Sequence, residues 1–382
     1  MKLGLLLIML VPAVGNIYVL WRTFRIIPLP LWGKWLVVVV LAALFFGMFA
    51  AMGRGLDKLS MNVATLVYEI TTSWIIILLY LFLAFLVADI LRMCHVLPAH
   101  FLRDSWTGTL VIFGLVTALL VYGNIHYHHK KRQTLTLTTT KPMKRPLKIV
   151  MLSDLHLGYH NRRSSLHRWV ETINKEKADL ILLAGDLIDR SVRPLLDDGM
   201  DEELLRLNAP VVACLGNHEY YAGQPNSLDF YRRADIRLLR DSVMDFGPLQ
   251  IIGRDDRSNR RRKPLADLCQ GIDREKYTIL LDHQPYDLGQ TATEGIDFQL
   301  SGHTHHGQIW PISWITQAIY ECAYGECQKE KTRFYITSGL GLWGGKFRIG
   351  TSSEYVVAEI VPESDTHDKT STLMKEQQNE PQ

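Results

Sequence analysis

The stretch that decides the fold is Leu180-Ile-Leu-Leu-Ala-Gly-Asp186. Its apolar and small residues run without interruption into Gly185 and then into a carboxylate. A short apolar run that ends in this way predicts a buried strand, which delivers an acidic side chain to the carboxyl edge of a sheet. We therefore expect an α/β domain whose chemistry lies at that edge.

Other apolar runs also end in side chains that can bind a metal ion. They are 148–153 before Asp154 and His156, 210–216 before Asn217 and His218, 277–282 before His283, and 297–302 before His303 and His305. Because the carboxyl ends of neighbouring parallel strands meet at one edge of a sheet, these Asp, Asn and His side chains should converge there. The sequence therefore predicts a metal site.

Before these runs, the chain has the character of a membrane protein. Its 382 residues are 47% hydrophobic, and four long apolar segments cover about 3–21, 35–52, 70–91 and 107–125. Each is close to the ~20 residues that a spanning helix needs. The first could instead be a signal peptide, but the apolar run continues past the poor cleavage site, which favours a retained helix. We expect residues 1–145 to form a four-helix transmembrane region with a linker.

Basic residues that flank these segments predict the side of the membrane on which the remaining chain lies. Four spans place the amino terminus and the following domain on one side, which carries nine of them: Lys2, Arg54, Lys58, Lys130, Lys131, Arg132, Lys141, Lys144 and Arg145. The other side carries five: Arg22, Arg25, Lys34, Arg92 and Arg103. The positive-inside rule therefore favours a cytoplasmic domain. In that compartment, Cys322 and Cys327 should stay reduced rather than pair.

The rest of the chain reads as one soluble domain with a tail. Thr and Leu alternate over 134–140, which predicts either an edge strand or an extended linker, and Pro142 and Pro146 then mark the domain boundary. Strand, loop and helix patterns follow, so we expect an α/β domain over 146–362. Residues 363–382 are polar and predict a disordered tail. The net charge of +3 is too small to indicate a nucleic-acid partner.

The polar residues at the strand ends suit a centre with two divalent metals. Such a centre attacks phosphorus and needs one shared carboxylate, nitrogen and oxygen ligands around it, and open positions for water and substrate. Asp154 and His156 are two residues apart, as are His303 and His305, so each pair projects to one side of an extended stretch. Asp186 is the natural shared carboxylate. The mixed donor set suits Mn, Fe or Zn better than Ca.

The ordered blocks Asp154-x-His156, Gly185-Asp186, Gly216-Asn217-His218-Glu219, His283 and Gly302-His303-x-His305 resemble the calcineurin-like metallophosphoesterase superfamily. The resemblance covers about 147–362 and is closest to a membrane-attached bacterial branch. It implies a β-sandwich flanked by helices, and a location in the bacterial inner membrane. It also implies that one metal binds Asp154, His156 and His305, that the other binds Asn217, His283 and His303, and that Asp186 bridges them. His218 would be the general acid or a donor to phosphoryl oxygens.

Several other residues lie beside these motifs but outside the ligand pattern. Asp189, His160 and Glu219 should lie behind the ligands or face solvent, whereas His306 is a candidate substrate contact, as are Lys346 and Arg348 after the glycine-rich stretch 338–345. Six basic residues within 254–263 form either a phosphate or lipid clamp or an ordinary solvated loop. Trp310, Trp314 and Trp343 are expected in the core rather than at the rim of the site or at a lipid surface.

These features predict a membrane-anchored enzyme that cleaves a phosphodiester or pyrophosphate bond with metal-activated hydroxide. A membrane tether raises the encounter rate with bilayer substrates, so a lipid-linked substrate is the first hypothesis. Cleavage of a soluble nucleotide is the second. A metal-loaded, non-catalytic membrane scaffold is the third, and the complete ligand set makes it the weakest.

Overall fold

The computed structural model describes residues 2–51 and 54–363, so nearly all of the predicted tail over 363–382 lies outside the described residues. The chain divides into two compact units. The first comprises Met1–Tyr127 with Gly344–Ile349, and the second comprises His128–Trp343 with Gly350–Gln382.

The first unit is built from long apolar helices. They are α1 (Lys2–Ile26), α2 (Leu31–Ala51), α3 (Met61–Met93) and α4 (Trp106–His128), with 3₁₀ turns at Arg54–Lys58 and Ala99–Leu102. Helix α3 begins well before the predicted segment 70–91, because residues 61–69 contain no glycine or proline that would stop it. Pro28 and Pro30 lie in the short connection between α1 and α2, where they end the first helix.

Three of these helices qualify as membrane spans. Among residues 2–51 and 54–363, the segments that are long and apolar enough are Leu31–Phe49, Met61–Met93 and Trp106–His128. The predicted number of four is therefore corrected to three for the described residues. The remaining predicted segment, about 3–21, forms most of α1, but the side chains of residues 2–9 are not among those described.

Polar contacts join the ends of these helices. Asp89 accepts a hydrogen bond from Tyr18 and pairs with Arg22, so this acidic residue of α3 is neutralised by neighbouring side chains. At one end of the unit, the Asp104 N–H donates to the Arg25 carbonyl at 2.9 Å. The segment Gly344–Ile349 belongs to this unit as well, and its Lys346 ammonium lies 2.8 Å from the carboxylate of Glu69 in α3.

The second unit contains two six-stranded sheets. The first sheet has the order β1-β12-β2-β3-β4-β5 and the second the order β10-β11-β9-β8-β7-β6. The strands are β1 (Lys130–Thr139), β2 (Leu147–Leu152), β3 (Leu180–Ala184), β4 (Val211–Cys214), β5 (Arg237–Leu238), β6 (Ser242–Phe246), β7 (Leu249–Gly253), β8 (Tyr277–Leu281), β9 (Phe298–Ser301), β10 (Gly325–Lys329), β11 (Thr332–Ile336) and β12 (Ser353–Pro362).

Shorter helices lie between these strands. They are α5 (Arg163–Lys175), α6 (Arg193–Asp197), α7 (Met200–Leu204), α8 (Asn217–Ala222), α9 (Gln224–Arg233), α10 (Leu265–Leu268), α11 (Leu288–Thr293) and α12 (Ile312–Ile319), with a 3₁₀ turn at His305–Gly307. Strands β2, β3 and β4 run parallel, as do β7, β8 and β9.

The two sheets pack face to face, with helices on the outside. Ile149 and Leu182 of the first sheet share one buried cluster with Ile279 and Leu300 of the second. The alternate residues of β2 and β3 instead pack outward in a cluster that includes Trp169 of α5. Alternation along each strand thus fills both layers. The β-sandwich flanked by helices that the family resemblance implied is confirmed.

Two predictions near the domain's edges have clear outcomes. The alternating Thr-Leu stretch is an edge strand rather than a linker: β1 pairs in parallel with β12 along its full length and buries Leu135 and Leu137. Cys322 and Cys327 form a disulfide, so the expectation of a reduced pair is wrong for this structure. The bridge joins residues five apart, between the end of α12 and β10.

Candidate metal centre

The predicted ligands all lie just beyond the carboxyl ends of strands. Asp154 and His156 follow β2, Asp186 follows β3, and Asn217 opens α8 after β4 in the first sheet. In the second sheet, His283 follows β8, and His303 with His305 follows β9. Because β2, β3 and β4 are parallel neighbours, and so are β8 and β9, the packed sheets bring these side chains into one region.

One cluster consists of Asp154, His156 and His305, whose ligand atoms lie within 4.8 Å of one another. The Asp154 Oδ1 atom is 3.7 Å from His156 Nε2 and 3.4 Å from His305 Nε2. The two imidazole Nε2 atoms are 3.1 Å apart. Three donor atoms from two separate loops therefore surround one point, as a metal ion requires.

A second cluster consists of Asp186, His283 and His303, again within 4.8 Å. The Asp186 Oδ2 atom is 3.1 Å from His283 Nε2 and 3.8 Å from His156 Nε2, so this carboxylate borders both clusters. Asp186 is almost fully buried. Its position is the one that a carboxylate shared between two cations must occupy.

Buried polar atoms in the site test whether the residues suit a cation. The Nδ1 atom of His283 donates to the Ala184 carbonyl at 2.7 Å, so a neutral ring turns the lone pair of Nε2 toward a carboxylate oxygen of Asp186. The Oδ1 atom of Asn217 is buried and finds no hydrogen-bond donor in the described part of the chain. Acceptors that face one another without a donor need a positive charge between them. These residues therefore fit a bound metal.

The raised pKa values of two candidate ligand histidines also indicate that the site favours positive charge. Burial disfavours the charged ring of His283, yet the adjacent Asp186 carboxylate raises the pKa of this group well above its ordinary value. For His156, burial is likewise outweighed by the nearby carboxylates of Asp154 and Asp189, which raise its pKa to about 10. In the absence of a metal, protons supply the charge that the carboxylates require.

His218 lies beside the first cluster and is held by Asp189. The Nδ1 atom of His218 donates to the Asp189 carbonyl oxygen at 2.6 Å and is 3.2 Å from Asp189 Oδ1. The same carboxylate lies 3.5 Å from His156 Nδ1. This arrangement leaves Nε2 of His218 as the nitrogen that can exchange a proton. Asp189 is buried, so of the two predicted positions it lies behind the ligands rather than in solvent.

Glu219 lies behind the ligands, which is one of its two predicted positions, but its structural role was not predicted. Its buried carboxylate accepts hydrogen bonds from the backbone N–H groups of Gly216 at 2.7 Å, Ile188 at 3.0 Å and Asp186 at 3.2 Å. It also accepts one from Tyr231 at 3.2 Å. Glu219 thus ties the β3 and β4 loops together. The available signal was its position three residues after Gly216, where a glutamate often bonds back to the start of a helix.

Most of the ligand residues have left-handed backbone conformations. The φ values are 54° at Asp154, 45° at His156, 52° at Asp186, 69° at His303 and 49° at His305. This region costs a non-glycine residue roughly 1–2 kcal/mol. Such conformations persist where the surrounding structure determines them, and they are common at functional sites.

The candidate substrate contacts are placed differently. His306 is partly exposed and stacks on Tyr324, with ring centroids 4.2 Å apart. Arg348 is fully buried and belongs to the helical unit, where its backbone N–H donates to the Gly123 carbonyl at 2.9 Å. The structure therefore does not offer the Arg348 side chain to solvent. His160 is also buried, and its Nε2 atom lies 2.9 Å from the Leu342 carbonyl.

Two further predictions concern surfaces. In the basic stretch 254–263, Arg254 and Arg262 pair with the buried Asp282, and Arg257 pairs with Asp287. Half of its basic residues are therefore engaged in ion pairs within the fold. The expectation that Trp310 and Trp314 pack in the core is wrong, because both side chains are exposed.

Comparison with known proteins identifies the class. A sequence profile of the calcineurin-like phosphoesterase family matches residues 147–307. A metallophosphoesterase of Campylobacter jejuni is 31% identical over 258 residues, which cover 64% of this chain and 68% of that protein. One from Aquifex aeolicus is 30% identical over 257 residues, which cover 64% of this chain and 97% of that protein. The chain belongs to the calcineurin-like phosphoesterase family and is, by class, a metal-dependent phosphoester hydrolase.

Relatives with membrane segments are also found. The transmembrane protein with metallophosphoesterase domain of Danio rerio is 30% identical over 225 residues, which cover 54% of this chain and 52% of that protein. Among solved structures, the 5′-nucleotidase precursor from Thermus thermophilus is 18% identical, with 61% of this chain and 58% of that chain covered at a TM-score of 0.34. The family assignment rests on the sequence relatives.

Proposed function

We propose that the protein is a membrane-anchored dimetal phosphohydrolase, with its membrane region within residues 1–145 and its catalytic residues within 146–362. The observation that carries the proposal is the position of Asp186, whose carboxylate lies between two clusters of metal-binding side chains. Two bound divalent ions, with Mn, Fe and Zn as the candidates, would supply an activated water and neutralise charge on the phosphoryl group.

Each side chain has a proposed part in that centre. Asp154, His156 and His305 hold one ion, and Asn217, His283 and His303 hold the other. Asp186 contributes to both. These are the seven ligands that the family resemblance implies, and their donor atoms suit the proposed ions.

His218 acts on the substrate rather than on the ions. Because its Nδ1 proton is committed to the Asp189 carbonyl, only Nε2 can pass a proton to the leaving oxygen or donate to a phosphoryl oxygen. The Asp189 carboxylate lies 3.2 Å from the same Nδ1 atom and helps to hold the ring in this orientation. Asp189 thus positions His218.

The proposed substrate is a phosphodiester or a pyrophosphate linked to a lipid. The support is the tether: a domain that follows membrane-spanning helices meets bilayer substrates at a high local concentration. A lipid-linked substrate also explains why a hydrolytic domain would be carried on apolar helices at all.

The test uses the full-length protein, purified in detergent micelles and loaded with manganese, acting on a chromogenic phosphodiester. Asp186→Asn should lower the rate at least about 100-fold, since even the loss of a group that supports a ligand costs 10- to 100-fold. His218→Ala should lower it by about 10²–10⁴. The matched control is Asp197→Asn, because Asp197 is half exposed and pairs only with Arg193 among the ion pairs of the described residues. Unchanged rates in both site variants would sink the proposal.

We place the α/β domain on the cytoplasmic side of a bacterial inner membrane. The charge comparison that supports this placement does not depend on α1: if α1 does not span the membrane, Lys2 changes sides, and the flanks still carry eight basic residues against six. The Cys322–Cys327 disulfide argues for the other side, since disulfides persist in oxidising compartments. Carboxyl-terminal fusions decide between them. A fluorescent reporter should be active, and a periplasm-dependent alkaline phosphatase reporter should not.

A further inference from the structure

Helix α12 exposes its large apolar side chains, which is unusual for a helix on the surface of a soluble domain. Trp314, Ile315 and Ile319 are 61%, 54% and 62% exposed, whereas Ser313 and Thr316 are buried. A surface helix of a soluble protein normally turns its apolar stripe inward and its polar residues to water. In α12 this order is inverted, so packing within the domain does not explain the exposed face.

The exposed apolar residues of the α/β domain are concentrated at this helix. Seven large hydrophobic side chains are exposed among its described residues: Leu196, Leu205, Tyr221, Trp310, Trp314, Ile315 and Ile319. Four of the seven lie within residues 310–319. Singly exposed apolar residues are ordinary, but a contiguous group marks an interaction site. We call residues 310, 314, 315 and 319 the α12 patch.

The α12 patch adjoins the metal centre. Helix α12 follows the 3₁₀ turn His305–Gly307, which begins with a candidate ligand. Just past the other end of the helix, the ring centroid of Tyr320 lies 6.3 Å from that of His303, a second candidate ligand. Anything that covers the patch is therefore close to the site of hydrolysis.

The chemistry of the patch fits a lipid surface. Tryptophan is enriched where hydrocarbon meets headgroups, and an amphipathic helix with Trp and aliphatic residues on one face lies in that layer. The domain is attached close to a bilayer, because only His129 separates the end of the membrane-spanning helix α4 from the first strand of the domain. We infer that α12 is an interfacial helix, whose exposed face inserts into the headgroup and acyl boundary of the membrane that anchors the protein. This contact does not depend on the proposed reaction.

A depth measurement on the full-length protein tests this inference. Cys94 is exposed and is replaced by serine, while Cys214 and Cys269 are buried and Cys322 is bonded to Cys327. In this background, Ile315→Cys carries an environment-sensitive fluorophore, and the protein is reconstituted into phosphatidylcholine and phosphatidylglycerol vesicles. Nitroxide-labelled lipids should quench the probe, more strongly from near the headgroup than from mid-bilayer, as an insertion of about 5–10 Å predicts.

The matched control is Leu205→Cys, because Leu205 is also 54% exposed but lies outside the patch. Its probe should not be quenched. Equal quenching of the two probes, or no quenching at Ile315→Cys, would overturn the inference. Energy transfer between labelled protomers without quenching by lipid would instead show that the α12 patch contacts a second copy of the chain. A parallel Ile319→Cys probe, read with a thermal unfolding curve, replaces the first if labelling at Ile315 disturbs the fold. The hydrolytic proposal is judged separately by the chromogenic assay.

Discussion

Removing the carboxylate of Glu219 should destabilise the α/β domain and loosen its metal centre. In Glu219→Ala, three backbone N–H groups lose the acceptor that they share, and these groups belong to the loops that carry Asp186 and Asn217. The side chain is fully buried, so bulk water does not replace the lost acceptor directly. Tyr231 loses its partner at the same time.

The magnitude follows from the number of donors that are left unpaired. A buried donor without an acceptor costs about 1–3 kcal/mol, and partial relaxation of the loops favours the low end. Three backbone groups then give about 3–6 kcal/mol. A domain of this size loses about 2–4 °C in melting temperature for each kcal/mol, so the expected fall is roughly 6–24 °C.

The assay is thermal unfolding of the full-length protein in detergent, followed by a manganese titration of the same samples. The control is Glu202→Ala, because the Glu202 side chain is 72% exposed, and its loss should change the melting temperature by less than about 2 °C. The midpoint of the manganese titration should rise only in Glu219→Ala. If the two variants have the same melting temperature, the idea that this carboxylate joins the two loops is refuted.

Three further outcomes are expected. Metal affinity should rise with pH, and metal binding should release protons. The reason is that the raised pKa values of His156 and His283 keep these rings protonated in the metal-free site, so a metal must displace those protons. Calorimetry in buffers of different ionisation enthalpy measures the number of protons released. Gly341→Ala should cost about 1–3 kcal/mol in thermal unfolding, since its Cβ would lie 2.1 Å from a backbone carbonyl oxygen, whereas Gly289→Ala, with its nearest neighbour at 3.8 Å, should not destabilise. Asp189→Asn should lower kcat more than it raises KM, because the carboxylate that lies 3.2 Å from His218 Nδ1 and 3.5 Å from His156 Nδ1 no longer helps to position these rings; an unchanged kcat would contradict this role.

The strand ends that carry the candidate ligands are the part of the fold that sequence predicts best. Buried parallel strands are nearly continuous apolar runs, so β3 and β8 are recognisable and their ends are marked by Asp186 and His283. The pairing of β1 with β12 is not predictable in this way, because the two strands come from opposite ends of the domain. The sequence of neither strand indicates which strand it pairs with. The same limit leaves the order of strands in a sheet open even where the positions of the strands are clear.

The residues that support the site escape sequence reasoning for a related reason. Glu219 acts on backbone groups, which have the same chemistry at every position, so its partners are defined only by folding. Arg348 and Trp314 show the opposite difficulty. An arginine beside a glycine-rich stretch suggests exposure and a tryptophan suggests burial, but here the arginine is buried and the tryptophan exposed. Tertiary packing, not residue type, decides these two cases.

The left-handed backbone at the candidate ligands has a consequence for protein engineering. Five such residues together carry roughly 5–10 kcal/mol of unfavourable local energy, which the surrounding sandwich holds in place. A flexible host loop given the same side chains would relax into extended or helical geometry and scatter them. Transplanting this centre into another scaffold therefore requires copying the strand ends and their backbone torsion angles. Copying the side chains alone would give an inactive site.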